Sequence, residues 1–249
     1  MAIKTILVSQ PKPEGEKSPY FDLATKYKLK IDFRSFINVE GVDSKDFRSQ
    51  RINLSDQTAI IFTSKVAVDH FFRIARETRF DVPDSMKYFC ISEAVALYLQ
   101  KYVSYRKRKI FFGKQTILEL AELMKKHKGE KFLLPCTDIL SDNIPITLEE
   151  QGIPFSKTIL YRTVASDLSD LEDVYYDILV FFSPGGIKSL FKNFPDFKQN
   201  NTAIAAFGQT TASAVIKHNL RLDVHAPHPK APSMVAALEL FIKEQSKKK

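Results

Sequence analysis

The 249-residue chain has few of the residues that cross-link small folds or hold metals. It contains no tryptophan and two cysteines, Cys90 and Cys136. Two cysteines cannot build a disulfide framework or a Cys-rich zinc or iron–sulfur site. Each lies in an apolar stretch, which is typical of buried free thiols in a reducing compartment.

Long apolar runs are absent as well. The longest, such as residues 178–182 and 203–207, fall far below the roughly 20 residues that span a bilayer. The apolar stretch that ends at Val8 is too short for the core of a signal peptide. We therefore expect a cytoplasmic protein with no membrane partner.

Common catalytic and cofactor motifs are also missing. The sequence has no phosphate-binding P-loop, no dinucleotide fingerprint and no nucleophile elbow. His225 and His228 flank an Ala-Pro pair, a spacing that suits neither a helical nor a strand metal site. His70 falls on an apolar helix face, where we expect a core residue. We predict no metal and no cofactor.

Positive charge is in excess, with 37 Lys and Arg against 29 Asp and Glu and a net charge of +8. Such a balance favours anionic partners. Residues 106–109 and 247–249 account for much of it and indicate a solvated turn and tail. The chain shows no nucleic-acid-binding signature, so a small polyanion is the partner we expect, with a nucleic-acid binder kept as an alternative.

Short β-rich runs alternate with segments of helical period along nearly the whole chain. Strands are predicted at residues 5–8, 31–33, 59–62, 88–91, 110–112, 132–134, 155–161, 178–182 and 203–207. Between several of them, apolar residues recur at the i, i+3, i+4 spacing of a helix face. Continuous apolar strands separated by helices indicate parallel sheets covered on both faces, an α/β fold.

An internal repeat divides this pattern in two. Residues 62–72 align with 181–191, and residues 89–96 with 205–212. The second copy of the repeat lacks an opening strand of its own, whereas the predicted strand at residues 5–8 has no neighbouring strand to pair with. We therefore predict a discontinuous domain of residues 1–36 plus 166–249, an inserted domain of residues 38–162, and a cleft between them.

Four turns follow predicted strands at the edge where parallel sheets bind ligands. They are Thr63-Ser64, Ser92-Glu93, residues 183–186 and residues 208–211. Free N–H groups at the helix N-termini that follow attract carboxylates or phosphates. Ordinary helix capping by Ser and Thr is the alternative for any single turn, but as a group they favour anion binding.

Several short motifs in this order resemble the uroporphyrinogen-III synthase family over most of the chain. They are Phe62-Thr63-Ser64, Leu133-Leu134-Pro135-Cys136, Leu160-Tyr161-Arg162-Thr163, Phe182-Ser183-Pro184-Gly185-Gly186 and Phe207-Gly208-Gln209-Thr210-Thr211-Ala212-Ser213-Ala214. The resemblance implies two flavodoxin-like domains joined by a two-stranded β linker.

The resemblance also implies a cofactor-free lyase of haem and sirohaem biosynthesis. Its substrate would be hydroxymethylbilane, a flexible linear tetrapyrrole rich in carboxylates. The reaction loses water, closes the macrocycle and inverts the last pyrrole ring through a spiro intermediate. Because the bilane closes unaided to the uninverted isomer, such an enzyme acts chiefly by orienting its substrate.

Site residues carried over from the resemblance fall in the turns already named. Tyr161 matches the family's tyrosine that assists loss of the hydroxyl, with hinge packing as the alternative role. The substrate-binding positions are Thr63, Ser64, Ser183, Gly185, Gly208, Gln209, Thr210 and Thr211. Main-chain N–H groups would supply most of the binding.

Two positions depart from the family pattern. Val95 stands where the family has threonine, next to Glu93, which repels carboxylates, and Gln10 stands where many members have arginine. These departures are the support for a second hypothesis, a non-catalytic two-domain module that binds a small polyanion. We expect a monomer, with hydroxymethylbilane synthase as a transient partner.

Overall fold

The computed structural model describes residues 3–15, 17–140, 142–171 and 175–247. Within these ranges the strands are β1 (Thr5–Val8), β2 (Lys30–Phe33), β3 (Ile37–Gly41), β4 (Ala59–Phe62), β5 (Lys87–Cys90), β6 (Ile110–Phe112), β7 (Phe132–Thr137), β8 (Phe155–Ala165), β9 (Ile178–Phe181), β10 (Ala203–Phe207) and β11 (Val224–Ala226). The helices are α1 (Pro19–Tyr27), α2 (Ser44–Ser49), α3 (Lys65–Glu77), α4 (Glu93–Tyr98), α5 (Ile117–Met124), α6 (Asn143–Glu150), α7 (Pro184–Asn193), α8 (Gln209–Lys217) and α9 (Met234–Lys247). Four short 3₁₀ helices lie at Leu54–Asp56, Leu99–Lys101, Lys125–His127 and Ser169–Leu171.

The chain divides into two compact units. Unit 1 is Met1–Asn38 with Val164–Lys249, and unit 2 is Val39–Thr163. Each unit contains one sheet whose strands alternate with helices, so the α/β class predicted from the sequence is confirmed. That each unit is a folding domain with the bounds expected above stays a prediction.

Unit 1 has five parallel strands in the order β11-β10-β9-β1-β2. Counted along the chain within the unit, this order is 2-1-3-4-5, the flavodoxin-like arrangement of doubly wound sheets. Ligands bind such sheets beyond the carboxyl ends of the strands. In unit 1 those ends lead into the loops after Val8, Phe181 and Phe207.

Unit 2 has the same arrangement in circularly permuted form. Its sheet runs β3-β8-β7-β4-β5-β6, with the five strands from β8 to β6 parallel. If β7 and β8 are counted first and β4, β5 and β6 after them, the order is again 2-1-3-4-5. β4 of unit 2 therefore corresponds to β9 of unit 1, which is the alignment that the internal repeat shows in the sequence.

The chain passes between the units twice, once within β3 and once within β8. The two strands are neighbours at the edge of the second sheet. Val42 N donates to Leu160 O at 2.9 Å, and Ser166 N donates to Phe36 O at 2.9 Å. Because the partners run in opposite chain order, this pair is antiparallel. A two-stranded linker was expected from the family resemblance.

Each sheet is buried on both faces, which explains its continuous apolar strands. In β1, Ile6 and Val8 pack into one core cluster, whereas Leu7 joins the cluster on the opposite face. In β4, Ile60 and Phe62 likewise separate from Ile61. Side chains of a strand alternate between faces, so each unit has a core layer on either side of its sheet.

Both cysteines are buried free thiols, as predicted. Burial raises the pKa of the Cys90 thiol to about 12. Burial also raises the pKa of Cys136, whose Sγ lies 3.4 Å from Thr158 O. None of the helices that the structure describes has the length and apolar character that a membrane crossing requires.

Candidate active site

The turn after β4 places Ser64 at the start of α3. Ser64 has an extended backbone, and its Oγ accepts a hydrogen bond from Ala67 N at 3.0 Å. This bond caps one of the N–H groups that a helix leaves without a partner in its first turn. Thr63, just before it, is half-exposed. The capping role considered for this turn is therefore present.

Tyr161 of β8 lies beside the same turn. Its Oη is 3.4 Å from Ser64 Oγ, and either hydroxyl can donate. Its residue exposure is 8%. Because Ser64 Oγ already accepts from Ala67, it can donate its own proton to Tyr161 and leave the phenol proton available to another acceptor. The structure thus brings Thr63, Ser64 and Tyr161 together in unit 2.

A β-bulge determines where Tyr161 points. β7 and β8 pair regularly up to Cys136 with Ile159, but the next pair is Thr137 with Tyr161. The extra residue, Leu160, reverses the face on which later side chains of β8 lie. A bulge leaves no clear signal in a single sequence.

The environment of Tyr161 keeps its phenol protonated. Burial, the largest effect, raises the pKa of Tyr161 above its ordinary value, whereas the hydrogen bond with Ser64 opposes that rise. A neutral phenol at physiological pH donates a hydrogen bond but does not act as a base. The geometry therefore suits a donor to a leaving hydroxyl.

His70 stacks on Tyr161, a contact that the sequence reasoning missed. Its ring centroid lies 5.2 Å from that of Tyr161, with 20° between the planes. The expectation that His70 is a core residue is wrong, because it is half-buried, whereas its neighbours Ala67, Phe71 and Ile74 enter the core. A histidine six residues after Ser64, in the second turn of α3, was the available signal.

In unit 1, residues 183–186 form the corresponding turn after β9. Ser183 Oγ accepts from Gly186 N at 3.3 Å, and Pro184 occupies the first helical position of α7. A Cβ on Gly186 would lie 3.1 Å from the ring of Phe181, and one on Gly185 would lie 3.4 Å from Ile37. Because neither glycine has a Cβ, the turn packs closely against Phe181 and Ile37.

The turn after β10 adjoins it. β9 and β10 are paired neighbours, and the rings of Phe182 and Phe207, which precede the two turns, are 5.8 Å apart. Gly208 has φ +82° and ψ 152°, a conformation essentially restricted to glycine. α8 has no side-chain cap, so the first N–H groups of the helix are available to an anion.

The side chains of this second turn face different environments. Gln209 and Thr210 are exposed, whereas Thr211 is 1% exposed. A ligand can therefore meet the Thr210 hydroxyl, whereas Thr211 is covered in this structure. Unit 1 thus brings Ser183, Gly185, Gly208, Gln209 and Thr210 to one edge of its sheet.

The two departures from the family pattern lie in the turns after β5 and β1. Ser92 makes no capping hydrogen bond to α4, Glu93 is exposed, and Val95 is buried. Gln10 is exposed after β1. An anion gains less at the Ser92 turn than at the Ser64 and Ser183 turns, because the exposed carboxylate of Glu93 repels it.

Among the described residues, no three His, Cys, Asp or Glu side chains are grouped so that they could hold a metal ion. His225 lies in β11, and His228 follows the Ala226-Pro227 bond outside it. His228 Nδ1 accepts from Lys230 N at 3.3 Å. The histidine pair thus belongs to the local structure after β11.

A sequence model of uroporphyrinogen-III synthase HemD matches residues 23–236 of this chain. The chain belongs to the uroporphyrinogen-III synthase family. The match covers most of both units and includes Tyr161 and every predicted substrate-binding position. The family resemblance drawn from the short motifs is therefore confirmed.

One curated uroporphyrinogen-III synthase, from Saccharomyces cerevisiae, is 27% identical over an alignment of 137 residues. The alignment covers 49% of this chain and 50% of the yeast protein. The chain thus matches about half the length of that relative.

Two solved structures of uroporphyrinogen-III synthases have the same fold. The Helicobacter pylori enzyme gives a TM-score of 0.60 at 20% identity, covering 97% of this chain and 100% of that one. A mutant enzyme from Thermus thermophilus gives 0.53 at 15% identity, covering 98% and 99%. At these identities the likeness is one of fold.

Proposed function

We propose that this protein is a uroporphyrinogen-III synthase that converts hydroxymethylbilane to uroporphyrinogen III. The observation that carries the proposal is the placement of Tyr161, a buried phenol held 3.4 Å from the capping hydroxyl of Ser64. Membership of the family supports the same reaction. The product would enter tetrapyrrole biosynthesis.

Carboxylates of the bilane bind at helix N-termini. In unit 2 the turn of Thr63 and Ser64 begins α3, and in unit 1 the turns of Ser183 and Gly208 begin α7 and α8. Main-chain N–H groups and the helix dipole supply the attraction. Gly185, Gln209 and Thr210 complete these turns, and Thr211 is the further substrate-binding position that the family resemblance implies.

Tyr161 assists departure of the hydroxyl. Its phenol donates a hydrogen bond to the hydroxymethyl oxygen, and that oxygen takes up a proton as the C–O bond breaks, so that it leaves as water. The last pyrrole ring gives up one proton when the macrocycle closes, which balances the proton taken up. The electron pair of the adjacent pyrrole stabilises the carbon that remains, and that carbon then forms the new C–C bond that leads through the spiro intermediate. Ser64 supports the phenol by donating to its oxygen.

Orientation supplies the rest of the catalysis. The bilane closes unaided to the uninverted isomer, so the protein must favour one conformation of a flexible chain over another. Fixed N–H donors on α-helices suit this task because they need no reorganisation when the substrate binds. We propose that the reaction needs no cofactor and no metal, and that the protein works as a cytoplasmic monomer that receives the bilane from hydroxymethylbilane synthase.

The test is to follow consumption of freshly made hydroxymethylbilane with and without the protein. A synthase accelerates consumption above the unaided rate, and the acceleration saturates with substrate. A module that only binds the polyanion, the alternative raised by Val95 and Gln10, would protect the bilane and leave consumption at or below the unaided rate.

A further inference from the structure

Arg73 of α3 binds four groups with one guanidinium. Its Nε donates to His70 Nδ1 at 3.2 Å, and its Nη1 donates to Glu77 Oε1 at 2.7 Å. Its Nη2 donates to Val42 O at 2.6 Å and to Leu160 O at 3.3 Å. A planar group with fixed donors is well suited to hold such a set, which lysine could not.

Two of these contacts adjoin Tyr161 from different directions. Leu160 is the residue before it in β8 and the extra residue of the bulge. His70 stacks on its ring at 5.2 Å. Arg73 therefore touches both the main chain that carries Tyr161 and the side chain that packs against the phenol ring.

The chain leaves room for this guanidinium by having glycine at position 41. A Cβ on Gly41 would lie 2.7 Å from Nη2 and 2.8 Å from Cζ of Arg73. Contacts that short do not occur for real Cβ atoms, so any side chain here would displace the guanidinium. Gly41 has no positive φ, and close approach is therefore the reason for glycine.

We propose that Arg73 is a positioning residue that fixes the Tyr161 phenol, through the His70 ring on one side and the Leu160 carbonyl on the other. This inference rests on the proposed function of Tyr161. It adds two residues that act through Tyr161, and a glycine that admits one of them. All of these groups lie in unit 2.

The protonation state of His70 agrees with this role. A ring nitrogen that accepts from Arg73 is unprotonated, so the neutral ring carries its proton on Nε2. Burial, the largest effect, and the positive charge of Arg73 lower the pKa of His70, against Asp69 and Glu77, which raise it.

The kinetic test replaces Arg73 with lysine, which keeps the positive charge and removes the planar set of N–H donors. Arg73→Lys is expected to lower kcat roughly tenfold with KM little changed, because a misplaced group costs rate rather than substrate binding. Arg76→Lys, on the exposed side of the same helix, is the matched control and should have the wild-type kcat.

Combining Arg73→Lys with Tyr161→Phe separates positioning from general damage. If Arg73 acts through the phenol, the double variant should be no slower than Tyr161→Phe alone. Multiplied losses would overturn the proposal, and so would a wild-type rate in Tyr161→Phe, since there would then be no phenol contribution to position.

A second substitution displaces the Arg73 guanidinium from Gly41, which lies in β3. Gly41→Ala should reproduce the fall in kcat, because the added Cβ displaces Arg73. Gly129→Ala introduces the same methyl group where nothing lies within 4 Å, and should have no effect. A Gly41→Ala variant that is folded and as fast as Gly129→Ala would contradict the proposal.

Nitrogen NMR tests the contact without any activity. The chain has five histidines, few enough for the His70 ring to be assigned. At mildly alkaline pH we expect the Nε2–H tautomer in the wild type and a loss of that preference in Arg73→Lys. An Nδ1–H tautomer in the wild type overturns the proposal, even if the protein inverts the last pyrrole ring of the bilane. Conversely, a protein that does not invert that pyrrole can still show the expected His70 tautomer, so the two proposals fail separately.

Discussion

At Tyr161, two opposing effects act on one phenol hydroxyl. Burial disfavours the phenolate and raises the pKa, whereas Ser64 offers a hydrogen bond that favours it. Burial is the larger effect, so the hydroxyl keeps its proton at physiological pH. The Tyr161 hydroxyl then serves the reaction as a hydrogen-bond donor. Removing this hydroxyl should slow the reaction without changing which carbon forms the new C–C bond.

Replacing the phenol tests this directly. Tyr161→Phe keeps the ring and its stacking on His70 and removes the hydroxyl alone. We expect the rate to fall roughly tenfold, the effect of losing one hydrogen bond worth about 1.4 kcal/mol, with uroporphyrinogen III still the main product, because the orienting turns are intact. A variant indistinguishable from wild type would withdraw the role given to Tyr161.

The two thiols provide a residue-scale test of the cores. Thiol reagents attack the thiolate, and the pKa of Cys90 is raised to about 12 in a fully buried site. At about pH 8 only a minute fraction of Cys90 is ionised, so we expect neither it nor Cys136 to react with a disulfide reagent until the protein unfolds. Rapid labelling of the native protein would show that these cores are open.

At the scale of single elements, Ser64 and Ser183 form a matched pair. Both are N-caps that accept from the N–H three residues later, but only Ser64 also contacts a tyrosine hydroxyl. We expect Ser64→Ala and Ser183→Ala each to lose about 1 kcal/mol of unfolding free energy.

Their kinetic effects should differ. Ser64→Ala should lower kcat severalfold, since the phenol loses its partner, whereas Ser183→Ala should change KM mildly, since main-chain N–H groups carry the binding there. Denaturant unfolding and steady-state kinetics measure both quantities. Equal kinetic losses in the two variants would assign Ser64 to capping alone.

Elements with strong periodicity could be predicted from the sequence, and weak ones could not. The buried strand β4 and the helix face of Ala67, Phe71 and Ile74 follow directly from apolar spacing. Helices α2 and α6 show no such spacing because each buries a single side chain, Phe47 or Leu148, and α6 carries Pro145 in its first turn.

The features of the candidate site likewise divide into those that the sequence predicts and those that it does not. Its capping serines and glycine turns are visible as local motifs, because caps and positive φ demand particular residue types. The bulge at Leu160, the stacking of His70 and the contacts of Arg73 depend on register and on distant partners, which no local pattern fixes. Burial of Thr211 beside exposed Thr210 likewise depends on how α8 packs.

For the whole molecule, the net charge of +8 should draw a polycarboxylate towards the protein. Charge attraction of this kind raises association rates and is screened by salt. We expect kcat/KM to fall as ionic strength rises from about 0.05 to about 0.5 M, as the Debye length shrinks below about 10 Å, with kcat changed less. A salt-independent kcat/KM would contradict steering by the protein's charge.

The most direct test of the account is the isomer of the product. Freshly made hydroxymethylbilane is incubated with the protein, the product is oxidised, and the uroporphyrin isomers are separated by chromatography, with heat-denatured protein as the baseline. The account predicts mainly isomer III from the native protein and isomer I from the baseline. Isomer I alone from folded native protein, formed at the unaided rate, would contradict it.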